Sequence, residues 1–224
     1  MNRIRKAVLA LVVITLFAGA SPIRAQDDPD AINIRASHLI DSTMASLNIR
    51  AQRFNEELAK INALKPLEVS SLAKDVIPKN REKIKDFLSY LDLYRSLSSK
   101  MKQAIEDSVM TLRMKMPKSH REKYLQDFLD AYSLDQTAFD KYTLALTKVF
   151  TNVDAVLAFL ETSNVKIDDG KLQFSSQTEL DKYSKLDKLV MESNKKLITA
   201  SANSQKANID ASTMMQKAYG AVKR

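Results

Sequence analysis

The chain has 224 residues, with 35 Lys and Arg against 27 Asp and Glu, a formal charge of +8, three glycines and no cysteine. Without cysteine there can be no disulfide, no thiol nucleophile and no lipid anchor on an N-terminal Cys, so stability has to come from burial. Glycine usually supplies about 7% of residues, and its scarcity here argues against a β-rich fold full of tight turns.

Residues 1–25 read as a secretory signal peptide. Arg3, Arg5 and Lys6 form a positive start, and Ala7 to Ala20 is an uncharged apolar run. Ser21-Pro22-Ile23-Arg24-Ala25 then leads to a cut before Gln26, with Ala20 as the alternative cleavage point. The apolar run is shorter than the roughly 20 residues that span a bilayer. The leader carries four basic residues and no acidic one, so the remaining chain keeps only +4 of the +8. That balance, in an exported chain, argues against nucleic acid as a partner. The expected location is the periplasm or the secreted fraction. Membrane contact is expected only if the leader is retained as an anchor.

The rest of the chain reads as long helices. Ile40, Met44, Leu47, Ala51, Phe54, Leu58 and Ile61 alternate spacings of four and three, a heptad seam on one helix over 29–64. Pro29 suits its first turn and Pro66 stops it. A second helix is expected over 67–115, kinked near Pro78. Its seam is Ile84, Phe87, Leu91, Tyr94, Ser98, Met101, Ile105, Ser108 and Leu112. Pro117 closes it.

Ser119-His120-Arg121-Glu122 has the form of a capping box opening a third helix over 119–163. Its seam runs through Leu125, Phe128, Tyr132, Phe139, Tyr142, Leu146, Val149, Val153, Val156 and Leu160. A second capping box, Ser176-Gln177-Thr178-Glu179, opens a last helix over 176–222. Its first part presents Leu180, Tyr183, Leu186 and Val190. Beyond Asn194 the seam turns small and polar (Ser201, Ser204, Ala207, Asn208, Ala211), so this half either frays, is completed by a partner, or lies in a shallow groove. Between the last two helices, Val165-Lys166-Ile167 and Leu172-Gln173-Phe174 flank Asp169-Gly170, a hairpin signal over 165–174. A lone hairpin is marginal in water, so it should rest its apolar face on one end of the helices.

The expected fold is all-α: an elongated antiparallel bundle of about four long helices with coiled-coil-like packing, a small β-hairpin between the last two, and one domain over 26–224. Segment charges of −2 for 26–77, +5 for 78–118, −3 for 119–163 and +4 for 175–224 alternate in sign, which favours an up-down-up-down arrangement. The basic segments thereby have acidic neighbours within the fold.

No residue pattern points to catalysis or to a cofactor. His38 and His120 are the only histidines, too few for zinc. Asp168-Asp169-Gly170 lacks the spaced carboxylates of a calcium loop. Glu56-Glu57 and Glu106-Asp107 are adjacent on helices and point in different directions. The residues that suit adaptable apolar contacts are Met110, Met114, Met116, Met214, Met215 and Tyr219, which stand as candidates for partner binding. The expected function is that of an exported, non-enzymatic helical protein acting on other envelope proteins or on itself, as a scaffold or a holdase-like chaperone. A small-ligand-binding four-helix bundle of the sensory type is the alternative.

Overall fold

A computed structural model describes residues 29–116 and 120–222. The leader, Pro117 and Ser119 lie outside the described residues. So do the side chains of His120 and Glu122, and with them the first capping box.

Four long helices pack against each other, with a two-stranded antiparallel hairpin between the last two. They are α1 (Pro29–Asn62), α2 (Ile77–Lys115), α3 (His120–Thr162) and α4 (Gln177–Val222), and the hairpin strands are β1 (Lys166–Asp168) and β2 (Lys171–Gln173). The second helix is shorter than the reading over 67–115. Residues Val69–Ser71 form a separate 3-10 turn, and α2 begins only at Ile77. Pro78 stands in the first turn of α2, where its missing N–H would have no intrahelical partner, so it starts the helix and does not kink it. At the end of α1 the chain turns through Lys65 at φ 42, a left-handed residue that leads into Pro66.

The hairpin follows its sequence signal. Asp169 at φ 46 and Gly170 at φ 72 both adopt positive φ, which a two-residue type I′ turn demands. Lys166 pairs with Gln173, Ile167 with Leu172, and Asp168 with Lys171. Gln173 donates to Asp168 Oδ2 at 2.7 Å, so this carboxylate serves the turn.

The packing resolves two compact units within the span that the sequence reading takes as one domain. One comprises the described residues of Met1–Gln52, Leu97–Gln136 and Asn208–Arg224; the other comprises Arg53–Ser96 and Thr137–Ala207. Each is built from a segment of all four helices. The first unit has a core of Ile32, Ala36, Ile40, Ile105, Val109, Leu125, Phe128, Tyr132, Ala211, Met215 and Ala218 among its buried residues. The second centres on Phe54, whose ring lies 5.3 Å from Tyr94, 5.0 Å from Phe139 and 5.9 Å from Tyr142, in tilted or edge-to-face geometry. Aliphatic packing extends that core through Ile84, Leu91, Leu146, Val156 and Leu157. The hairpin rests on this second core through Val165, Leu172 and Phe174, while Ile167 stays 43% exposed.

In α4, Leu180 does not join the buried face; it is 39% exposed, while Tyr183, Leu186 and Val190 pack inward. The small-residue half is a continuous helix whose Ala207, Ala211 and Ala218 are buried. The continuous helix runs against the expectation of fraying, and side chains this short permit close helix approach.

Candidate interaction surface

The interior of each unit contains polar groups, and they explain where the helix seams go. In the first unit, Arg50 from α1 donates to Ser98 Oγ of α2 at 2.7 Å and to Gln136 Oε1 of α3 at 3.0 Å. The Asp135 carboxylate lies 3.9 Å from Arg50, and Asn208 of α4 donates to it at 3.0 Å. All four helices thus contribute to one polar layer. Its members are mutually satisfied, as buried polar groups must be. In the second unit, Asn152 of α3 donates to the Leu189 carbonyl at 3.0 Å and to Ser193 Oγ at 3.2 Å. Arg81 of α2 clamps α3 by donating to Asp154 Oδ1 at 2.8 Å and to Glu161, which raises its already high pKa further. A basic helix thereby meets an acidic one, as the alternating segment charges anticipate.

Helix α4 starts on half of the expected capping box. Ser176 Oγ accepts from the Glu179 amide at 3.2 Å. The Glu179 carboxylate does not return to Ser176; it accepts from the Ser175 hydroxyl at 2.6 Å, the Ser175 amide at 3.1 Å and the Asn164 amide at 3.3 Å. These donors hold its pKa below the usual carboxylate value, the Ser175 hydroxyl most of all. The same bonds tie the exit of α3 to the entry of α4.

The six residues suggested for partner contacts separate into two groups. Met110 and Met114, one turn apart on α2, are 62% and 77% exposed. Met116 and Met215 are buried at 7% and 2%, so neither offers a surface: Met215 continues the inward line of Ala207 and Ala211, and Met116 folds onto the same core. Met214 and Tyr219 are partly buried against that core. The Tyr219 hydroxyl donates to Asp41 Oδ2 at 2.8 Å, joining α4 to α1. His38 is exposed, and among the described residues no group of three His, Asp or Glu side chains is placed to hold a metal ion. Glu57 pairs with Lys60 at 2.8 Å, and Asp107 accepts from Gln103 at 2.9 Å.

A second exposed apolar feature lies on α4 within the second unit. Leu180, Met191 and Ile198 are 39%, 57% and 64% exposed. Their spacings of eleven and seven residues place them within about 20° of one another at 100° per residue. Lys188, Lys195 and Lys206, all exposed, have spacings of seven and eleven and form a parallel row on one flank. Both rows keep the three-and-four spacing of a heptad, on a face other than the one Tyr183, Leu186 and Val190 bury. The signal was present in the sequence as a second periodicity on the same helix.

One helix among the described residues contains a stretch long and apolar enough to cross a membrane, within Lys123–Thr162 of α3, and 56% of that stretch is buried inside the fold. This is the composition a central helix acquires when several neighbours cover it.

Comparison of the chain with protein-family models, curated proteins and solved structures returns no match.

Proposed function

We propose that this is an exported, non-enzymatic helical protein that works by contact with other proteins of the cell envelope, as a scaffold or a holdase-like chaperone. The observation that carries the reading is the exposed Leu180–Met191–Ile198 row beside Lys188, Lys195 and Lys206. Water-facing long apolar side chains in a line, flanked by cations, suit an unfolded or amphipathic client bearing apolar and acidic groups. The exposed pair Met110 and Met114 adds flexible thioethers that adapt to varied apolar partners. Export rests on the basic start and apolar run of residues 1–20.

The test is suppression of aggregation of an unfolded envelope protein by the purified chain at stoichiometric amounts. Suppression should weaken severalfold in Met191→Glu/Ile198→Glu, whose positions are on the surface and leave the core intact. Absence of suppression, or suppression untouched by that variant and by Met110→Glu/Met114→Glu, overturns the reading. N-terminal sequencing of the protein from the native envelope tests export, with Gln26 as the expected first residue.

A further inference from the structure

A cavity of about 150 Å³ opens beside the hairpin, inside the second unit. Its walls come from three places: the loop before α2, the end of α3 and the hairpin. Leu72 and Leu160 are buried core residues at 6% and 4% exposure, and Val165 and Leu172 are partly buried. Ile167, the cross-strand partner of Leu172, stands at the more exposed side. Among the described residues, the exposed Lys74 is the one charged side chain in the lining.

Size and chemistry select the occupant. The cavity, roughly 150 Å³ and open to solvent on one side, has room for a benzene-sized group beside its aliphatic side chains and leaves the polar atoms of its lining in contact with water. A nucleotide or an oligosaccharide is too large for this volume, and among the described residues no group of three His, Asp or Glu side chains is placed to hold a metal ion. The ammonium of Lys74 adds a preference for a negative charge attached close to the apolar body. We propose that this cavity binds a compact apolar carboxylate: an aromatic or branched aliphatic group lodged among Leu72, Leu160, Val165 and Leu172, with its carboxylate against Lys74 Nζ. The same chemistry is presented by a free small acid and by the C-terminal apolar residue of a peptide. The inference stands independently of the interaction surface on the outer face of α4, because the two use different residues.

The experiment is methyl NMR of the full chain titrated with phenylacetate and, separately, with benzyl alcohol as its neutral counterpart. Phenylacetate should give saturable shifts in the methyls of Leu72, Leu160, Val165, Ile167 and Leu172, with a Kd of about 1–10 mM, ordinary for a ligand of this size. Benzyl alcohol should bind more weakly at the same methyls. Lys74→Glu should weaken phenylacetate by about three- to tenfold and leave benzyl alcohol within about twofold, as expected for loss of one solvent-exposed charge contact. Val165→Phe, which fills the cavity, should abolish both; if that variant does not fold, the surface change at Lys74 still decides. A peptide ending in free Phe, compared with its C-terminal amide, separates the sources: selective binding of the free form assigns a chain terminus, and binding of phenylacetate alone assigns a free acid. Absence of saturable shifts, equal affinity for the acid and the alcohol, or an unchanged Kd in Lys74→Glu overturns the proposal.

Discussion

Arg50→Met should be one of the more damaging single changes in the first unit, although it replaces a charged residue with an apolar one of similar length. Only 15% of the Arg50 side chain is exposed, and it donates to Ser98 at 2.7 Å and Gln136 at 3.0 Å beside an Asp135 side chain that is 10% exposed. Hydrogen bonds to a charged group contribute about 1.5–3 kcal/mol each. Two of them, discounted for the remaining solvent contact, amount to roughly 2–4 kcal/mol. The 3.9 Å separation from Asp135 adds little direct attraction, but the carboxylate is left without its cation. Urea denaturation followed by far-UV circular dichroism measures the loss. Arg50→Met/Asp135→Leu removes the orphaned charge as well, and should be at least about 1 kcal/mol more stable than the two single losses predict when added. A loss below about 1 kcal/mol for Arg50→Met, or strict additivity in the double variant, would refute the view that this layer acts as a unit.

Four further outcomes are expected. Thr43 is fully buried and its hydroxyl has no hydrogen-bond partner among the described residues, so Thr43→Val should be neutral or stabilise by up to about 1 kcal/mol in the same denaturation assay. Gly170 sits at φ 72, so Gly170→Ala should cost about 1–2 kcal/mol, seen as loss of cross-strand NOEs between Ile167 and Leu172 or a lower unfolding midpoint. Burial pushes the Tyr90 hydroxyl up to about 12, with nearby Glu57 adding to the effect, and burial likewise raises Tyr142 and Tyr183. Because the folded state holds these protons more tightly, their contribution is complete below the ordinary value of 10.0 and is lost as pH climbs towards 12, so an ultraviolet titration should show tyrosines ionising late and stability falling in that window. Glu179 has the opposite sign: its lowered pKa contributes stability above the ordinary carboxylate value of 4.5, lost as pH falls through the depressed value, and Glu179→Gln should flatten that acid dependence.

The heptad reading located most of the core because apolar side chains mark a buried face directly. Phe54, Leu91, Phe128, Leu146 and Val156 all lie where the seams put them. It misplaced α1 locally for a physical reason. The seam chose Ala51, which faces solvent, while Thr43, fully buried, and Arg50 take inward positions on the same helix, Thr43 beside a Met44 that does pack against the core. A periodicity of apolar residues is blind to a layer in which polar groups satisfy each other, and Asp135 and Gln136 were missed on α3 for the same reason. The hairpin was legible because Asp-Gly in a type I′ turn is a local requirement of the backbone. The stretch between α1 and α2 was not, since a 3-10 turn of three residues carries no period to detect. Of the proposed contact residues, Met110 and Met114 reach the surface but Met116 and Met215 do not, because methionine fills core gaps as readily as it adapts to partners.

The bond from Asn152 to the Leu189 carbonyl has a consequence for anything that docks on α4. A helix held to its neighbour only by aliphatic side chains can slide along it by a turn at modest cost. Here the acceptor is a backbone oxygen in mid-helix, backed by Ser193 four residues on, and a slip in either direction would strand a buried amide. Leu180, Met191 and Ile198 are consequently held at fixed heights, spread over about 27 Å at 1.5 Å per residue. Under the proposed function the row is a ruler with set graduations: a client whose apolar groups match that interval would engage all three marks at once, and one whose groups do not match would engage a single mark and leave.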